Sequence, residues 1–386
     1  MTAPAAVSEL DPDLPAMPLL LDDAALAGRL AQAGERLDRR RYLRWKPGTA
    51  CVAGLELASG PAFGQAVSRA AWPKVTKTGQ RAPAGSVVLA EVDSGLLIAR
   101  ATADRDLPAL ADLPAAVQRL LPGRPLRYLR TLAYKPQRRW VGMAHGADGT
   151  RSVVRAYRRG RAAGAVSRFA AAALAGVGAA GLPDWDRRCG VVASAWVPGD
   201  PLDRLVAAGP VPAGTWSELG AMLARLHDYR PAAAPGLSKR PAPVTDPGPT
   251  LELLVRLHPP FAGQADRVLR RWRAARPAPN PPVFAHGDLS ADQVIVGERI
   301  RLIDWDRAGL ADPAVDLAGL AAAGMPAEAW EQVLAGYGAR RPVPGALAWH
   351  RAGARLRRTT EPWRTVRPDW VGRAADLLDA AERDLR

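Results

Sequence analysis

The chain has 386 residues, 48% hydrophobic and 24% charged, a length and composition that exclude a wholly disordered chain and allow more than one core. Its 36 prolines follow no glycine period, which excludes collagen, and its two cysteines, Cys51 and Cys189, exclude a disulfide scaffold or a four-cysteine zinc site. The net charge is +15, with only five lysines among 53 basic residues.

The charge is unevenly placed. Residues 1–38 hold seven acidic residues against Arg29 and Arg36, so the remainder is strongly basic. Such a body suits phosphate-bearing ligands, nucleic acid or an acidic peptide, and a GC-rich coding preference for Arg produces the same balance. The longest uncharged run, Phe169 to Pro183, is shorter than the ~20 apolar residues of a bilayer helix. The N-terminus is acidic and lacks the basic start of a secretory signal, so a cytoplasmic protein is expected.

Residues 1–21 read as a tail and 22–38 as a helix carrying Leu26, Leu30 and Leu37. Strand-like runs follow at 41–45, 51–57, 86–92 and 95–101, the last two joined by the turn Asp93-Ser94-Gly95. A helical pattern covers 107–121, and strands return at 129–134, 140–144 and, after Asp148-Gly149, 152–157. The stretch Arg44-Trp45-Lys46-Pro47 through Val52 echoes Ala133-Tyr134-Lys135-Pro136 through Val141 at an offset of 89. Two Lys-Pro turns between short strands match by chance, or the echo records a duplication. From 161 the chain turns helical: a long helix at 161–180, a buried strand at 191–197, and a helix opened by a capping box, Thr215-x-x-Glu218. Residues 231–250 are Pro-rich, helices follow at 250–258 and 262–275, a β segment covers 283–304, and helices end the chain.

The informative stretch is VFAHGDLSADQVIVGERIRLIDWDRAGLADPAVDL, from Val283 to Leu317. Strands at 294–296 and 300–303 are joined by the short loop Gly297-Glu298-Arg299. Pairing Val296 with Ile300 sets Gln293 opposite Ile303 and brings Asp304 to the same open end, with Asp288 in the turn leading in. Two carboxylates and an amide oxygen gathered so suit Mg²⁺, a hard cation that takes a few such oxygens plus phosphate and water. Taken singly, each Asp also reads as a turn or cap residue.

The order His286-Gly287-Asp288, Gln293, Ile303-Asp304-Trp305-Asp306 and Asp312-Pro313-x-x-Asp316-Leu317 resembles the aminoglycoside phosphotransferase family, which shares the protein-kinase-like fold with choline kinases. Upstream, Leu219-Gly220-x-x-Leu223-Ala224-x-Leu226-His227 resembles the family's helix before the catalytic loop, and Val191 to Leu202 its hinge strand and exit. The resemblance is clear over about 185–320, weaker over 129–184 and not visible over 1–105. It implies an α+β, bilobal protein-kinase-like fold with an additional N-terminal α/β module. The boundaries expected are 1–105 for the extra module, 106–198 for the N-lobe with hinge, and 199–386 for the mainly helical C-lobe with the catalytic hairpin.

The resemblance also implies roles. Asp288 would take or orient the acceptor hydroxyl proton, and Asp304 and Gln293 would hold Mg²⁺ against the phosphates of ATP. The family's usual residue at Gln293 is Asn; Gln offers the same oxygen on a longer arm, as in maltokinases. Hinge residues Ala195 and Val197 would line the nucleotide. His286, Trp305, Asp312 and Asp316 read as structural.

The N-lobe departs from the pattern. Arg155 stands where the family places a strand Lys, and Arg161 to Ala180 lacks the usual Glu. Lys135-Pro136-Gln137-Arg138-Arg139 replaces a glycine-rich loop, so Lys135, Arg138 and Arg139 join Arg155 as candidate phosphate cations. A solvated basic turn is the other reading of that segment. The expected activity is an ATP- and Mg²⁺-dependent phosphotransferase with a hydroxyl-bearing small molecule as acceptor. A Ser/Thr kinase acting on a precursor peptide and a pseudokinase scaffold are the alternatives. No nucleic-acid or membrane partner is expected, and oligomeric state is not readable.

Overall fold

The computed structural model describes residues 11–121, 123–179, 181–231, 237–238 and 240–386, and the backbone alone of Lys74. Parts of three expected segments lie outside the described residues: the first ten of the tail, Ala180 of the long helix, and 232–236 and 239 of the Pro-rich stretch.

Internal contacts divide the chain into two compact units. One comprises Met1–Ala162, Trp185–Ala193 and Glu361–Trp370; the other comprises Ala163–Asp184, Ser194–Thr360 and Val371–Arg386.

The first unit is built on two sheets. Strands β1 (Leu37–Lys46), β2 (Ala50–Leu57), β3 (Gly60–Val67), β4 (Val87–Glu91) and β5 (Leu96–Arg100) form one, in the order β1-β2-β3-β5-β4. Strands β6 (Leu126–Lys135), β7 (Arg139–Gly146), β8 (Arg151–Tyr157), β9 (Asp184–Asp186) and β10 (Val191–Ala195) form the second, in the order β6-β7-β8-β10-β9. Helices α1 (Met17–Leu21), α2 (Asp23–Gln32), α3 (Trp72–Arg81) and α4 (Leu113–Leu120) accompany them. Helix α2 begins where Asp22 accepts the Ala24 and Ala25 N–H groups at 2.9 and 3.0 Å, and it buries Leu26 and Leu30, one turn apart.

The two sheets share one apolar core. Phe63, Val67, Leu97 and Ala99 of the first meet Leu107, Leu110 and Val117, and the same cluster holds Tyr134, Trp140, Val154, Ala156 and Val191 of the second. Each such buried large side chain is worth roughly 1.5–3 kcal/mol.

Several sequence expectations are corrected here. The helix expected over 22–38 stops at Gln32, because Gly34 at φ +74° turns the chain and the Glu35 N–H reaches back to the Leu30 carbonyl; Leu37 opens β1 instead. Strand β3 and helix α3 leave no clear sequence pattern, since Gly60, Pro61 and Gly64 mask the strand and Thr and Gly weaken the helix pattern.

The second unit carries most of helix α5 (Ala162–Leu174), then α6 (Leu202–Ala208), α7 (Thr215–Asp228), α8 (Gly248–Leu257), α9 (Ala262–Ala274), α10 (Ala314–Ala322), α11 (Ala327–Gly338) and α12 (Leu347–Arg358). The short α13 (Glu361–Arg364) returns to the first unit, and α14 (Trp370–Asp384) ends the chain. The expected capping box is absent: Gly214 caps α7 at φ +80°, and Thr215 is buried in its first turn. Helix α5 ends at Leu174, shorter than expected, with Gly176 at φ +74° closing it.

The unit's strands are β11 (Asp200–Pro201), β12 (Val283–Ala285), β13 (Val294–Val296), β14 (Arg301–Leu302) and β15 (Gly309–Ala311). They form the sheets β11-β13-β14 and β12-β15. Pairs Val294–Leu302 and Ile295–Arg301 fix the β13–β14 register, which is the one the sequence implied. Helices α7 and α11 touch through glycine: a Cβ on Gly220 would overlap the Val333 carbonyl, and one on Gly336 the Ser217 carbonyl. Among the described residues, no helix is long and apolar enough to cross a membrane.

Candidate active site

The loop after β12 carries Asp288. Its backbone is held by Asp316, fully buried in the first turn of α10. Asp316 accepts the His286 N–H at 2.7 Å and the Gly287 N–H at 2.8 Å. It also meets His227 Nε2 at 3.2 Å, and His227 Nδ1 meets the Tyr337 hydroxyl at 2.9 Å across the α7–α11 contact. Burial pushes the Asp316 carboxyl up, but the bond and charge of His227, the charge of His286 and the Gly287 N–H outweigh it, and its pKa ends below the ordinary value.

Gly287 is required by geometry. Its φ is +82°, and an added Cβ would lie 2.5 Å from the Arg307 carbonyl. His286 Nε2 bonds the Ile303 carbonyl at 2.9 Å, tying the loop to the end of β14. Trp305 is buried, donates to the Leu302 carbonyl at 2.9 Å and lies 4.7 Å from the His286 ring. This frame leaves Asp288 half exposed, with Arg307 Nε 3.3 Å from its carboxylate.

Gln293 and Asp304 bracket the hairpin. The Ile303 N–H donates to the Gln293 carbonyl at 2.9 Å, so Gln293 precedes β13 where Asp304 follows β14. Asp304 sits at φ +65°, a left-handed conformation that Asp tolerates better than most residues. Gln293 Oε1 is buried without a hydrogen-bond partner. An unsatisfied buried acceptor costs roughly 1–3 kcal/mol, so a ligand to this oxygen would relieve that cost. The amide oxygen and carboxylate at one hairpin end fit a hard divalent cation. Among the described residues, no group of three or more His, Cys, Asp or Glu could hold a metal, so a cation here would complete its shell with phosphate and water.

Asp312 is held separately. It accepts the Asn280 backbone N–H at 3.0 Å, Asn280 Nδ2 at 3.0 Å and the Ala314 N–H at 2.9 Å, with His350 Nε2 at 3.6 Å. Burial raises its pKa, but His350 and these amides win and bring it down to about 2.

The candidate phosphate cations lie in the first unit. Arg155 in β8 is 5% exposed and pairs in register with Val141. Its neighbours Val154 and Ala156 enter the shared core, so alternation puts Arg155 on the opposite face. Lys135, Arg138 and Arg139 lie at the β6–β7 turn, where Lys135 pairs with Arg139. Lys135 and Arg138 are exposed. Ala195 ends β10, exposed, and Val197 just beyond is buried. Thus Gln293 and Asp304 flank one hairpin end and His286 ties the loop that carries Asp288 to Ile303 beside them, while Arg155 and the basic turn belong to a different unit from these and from Val197.

Sequence reasoning missed two groups. Arg357 on α12 is pushed down to about 10 by burial and by the neighbouring charges of Arg358 and Arg307, against the pull of Asp288. Gln137, Arg44, Gln65 and Asp104 form a network around the basic turn. Neither group belongs to a motif, and only the echo between the Lys46-Pro47 and Lys135-Pro136 turns hinted at the second.

Residues 136–352 match the model of a phosphotransferase enzyme family. No curated protein matches the chain in sequence. Among solved structures, a choline/ethanolamine kinase family protein from Mesorhizobium loti is similar at 19% identity and TM-score 0.52, over 72% of this chain and 94% of that one. Choline kinase LicA from Streptococcus pneumoniae is similar at 14% identity and TM-score 0.51, over 70% and 98%. Macrolide 2'-phosphotransferase MphH from Brachybacterium faecium shares 25% identity over 71% and 98%, at TM-score 0.46. The first two likenesses bear out the expected kinase-like fold.

Proposed function

The chain belongs to the phosphotransferase enzyme family, and from that premise we propose that it transfers the γ-phosphate of ATP, with Mg²⁺, to a hydroxyl of a small molecule. The carrying observation is the unpartnered Gln293 Oε1 at the same hairpin end as Asp304, beside the loop that presents Asp288. A bound Mg²⁺ would neutralise phosphate charge there. Asp288 accepts the acceptor's hydroxyl proton as its oxygen bonds to the γ-phosphorus and the bridging P–O bond breaks, releasing ADP. Asp316, through the His286 and Gly287 amides, fixes where that carboxylate points. Arg155 is assigned to the nucleotide phosphates, with Lys135, Arg138 and Arg139 as supporting cations. Ala195 and Val197 are assigned to the nucleotide base.

Residues 106–198 act in this reading as the nucleotide-clamping lobe and 199–386 as the catalytic lobe. Residues 1–105 form the additional module. The acceptor is neutral or anionic, because Arg307 and Arg357 flank Asp288 and disfavour a polycation. A sugar, another natural-product hydroxyl or a Ser/Thr of an acidic peptide meets that condition. Free cysteines at 51 and 189 suit the cytoplasm.

The test is an acceptor screen with ATP and Mg²⁺, read by mass spectrometry, with Asp288→Asn alongside. Transfer to a hydroxyl lost in Asp288→Asn supports the assignment. Nucleotide binding without any transfer or hydrolysis favours a pseudokinase.

A further inference from the structure

The two sheets of the first unit have the same strand order, and each places a helix, α3 or α5, between its third and fourth strands. Their first hairpins share seven residues at an offset of 89. Gly34, Leu37, Arg41, Leu43, Lys46, Pro47 and Val52 become Gly123, Leu126, Arg130, Leu132, Lys135, Pro136 and Val141. The register repeats as well: Lys46–Ala50 and Trp45–Cys51 correspond to Lys135–Arg139 and Tyr134–Trp140. Gly48 and Gln137, the same turn position, have φ +65° and +61°.

The segment before each hairpin repeats at an offset of 93. Asp11-x-Asp13-Leu14-Pro15-Ala16 becomes Asp104-x-Asp106-Leu107-Pro108-Ala109. The Leu14 N–H bonds the Asp11 carbonyl and the Leu107 N–H the Asp104 carbonyl, at 3.0 and 2.9 Å. Chance matching of two Lys-Pro turns does not produce a shared strand order, register, turn conformation and leading segment together.

We infer that residues 11–100 are a second copy of the lobe at 104–195, that this copy's own ligand face is closed, and that its Arg44 and Gln65 position the turn at 135–139. The last part rests on the proposed nucleotide role of that turn. Gln65 pairs with Val52 as Arg155 pairs with Val141, so Gln65 is the counterpart of Arg155. The first copy therefore lacks the strand cation. The side chains on Gln65's face, Phe63, Val67, Leu97 and Ala99, are at most 2% exposed in the core shared with the second copy.

What lies against Gln65 is the second copy's turn. Gln137 Nε2 donates to Gln65 Oε1 at 3.1 Å, and Arg44 Nη2 donates to Gln137 Oε1 at 2.6 Å. Arg138 donates to the Tyr42 hydroxyl at 3.4 Å. A Cβ on Gly54 would lie 3.3 Å from Pro136 Cδ, so the glycine admits the turn onto the sheet. A phosphate loop rich in glycine holds its shape by binding; this one, with a non-glycine residue at positive φ, is held beforehand by the spare copy.

The test uses the full chain, with amide hydrogen exchange and MgADP titration. Arg44→Ala should speed exchange at 137–139 by roughly tenfold while the β2–β3 ladder stays protected. It should weaken MgADP by roughly fivefold and raise KM for ATP more than it lowers kcat. Arg44→Lys should recover part of both effects. Gln137→Gly is the control for misfolding: it suits the φ, as Gly48 does in the first copy, yet loses both anchors, so it should keep thermal stability and show the same fast exchange. In wild type, MgADP should slow exchange at 135–139 and leave 46–50 unchanged. Unchanged exchange in both variants would overturn the positioning claim, and protection at 46–50 would overturn the closed face. Fast exchange in the variants together with a wild type that does not bind MgADP would leave the anchoring standing and remove the proposed nucleotide role instead.

Discussion

Asp11 and Asp104 do the same work in the two halves of the first unit. Asp11 Oδ2 accepts from Trp45 Nε1 and the Gly48 N–H, both at 2.8 Å. Asp104 Oδ2 accepts from the Tyr134 hydroxyl at 2.9 Å and the Gln137 N–H at 2.7 Å. One buried carboxylate thus holds an aromatic side chain at the end of a strand and the amide of the residue that turns it.

The first prediction follows from that arrangement. Asp104→Ala leaves the Tyr134 hydroxyl and the Gln137 and Asp106 amides without their acceptor and should cost roughly 2–4 kcal/mol in denaturant unfolding. Asp104→Asn should cost less at neutral pH. Burial raises the Asp104 pKa despite the bonds from Gln137 and Tyr134, with Asp106 adding to the rise. The folded chain therefore holds that proton more tightly than the unfolded one, and wild type loses stability as pH climbs from the ordinary carboxylate value through the raised one. The asparagine variant has no such loss, so the gap between the two proteins should narrow over that rise. A gap that widens would show the sign to be wrong.

Arg155 and Arg158 separate the phosphate assignment from general charge. Arg155 is buried on the face away from the core, whereas Arg158 is exposed and paired with Asp106 at 3.0 Å. Arg155→Ala should weaken MgADP binding by roughly 2–3 kcal/mol, the worth of a charge-assisted phosphate contact. Arg158→Ala should change it little, since an exposed pair contributes about 0–1 kcal/mol. Equal, small losses measured by calorimetry would move the assignment to Lys135, Arg138 and Arg139.

The candidate hairpin was legible because its residues are local in sequence. Gln293, Asp304 and Asp288 lie within one short segment, and the short loop from Gly297 to Arg299 fixes the register that sets Gln293 and Asp304 at one end of the hairpin. The first unit was only partly legible. Its strand echo at Lys46 and Lys135 was visible, but β3 hides behind Gly60, Pro61 and Gly64, and without β3 the two sheets cannot be seen to share an order. Arg44, Gln65 and Arg357 act through contacts distant in sequence, and no periodicity marks such residues.

Gln293 gives a prediction about the cation. Its Oε1 has no partner, so Gln293→Leu removes an unsatisfied acceptor and should leave the metal-free chain as stable as wild type, or more so by up to roughly 1–3 kcal/mol. Mg²⁺ with ADP should raise the melting temperature of wild type and fail to raise that of the variant. Equal stabilisation of both by Mg²⁺ and ADP would remove Gln293 from the ligand set.

Asp312 supplies a pH test in the second unit. His350 and the Asn280 and Ala314 amides hold its pKa down to about 2 against burial. An unfolded Asp titrates near 3.9, so the depressed value contributes roughly 2–3 kcal/mol of stability. The sign follows from proton binding: the unfolded chain takes the proton first as pH falls. The contribution is therefore complete above about pH 4 and disappears as pH approaches about 2. Asp312→Asn forgoes it at every pH. Urea unfolding at pH 6 should show wild type more stable than the variant by about that amount, and the difference should shrink steadily through the acid range as the wild-type carboxylate protonates. Other depressed carboxylates, such as Asp316 and Asp228, titrate in both proteins and cancel in the comparison. A difference that stays constant from pH 6 to about 2 would mean that Asp312 acts through its shape and amide bonds alone, and that its charge does not hold the turn before α10.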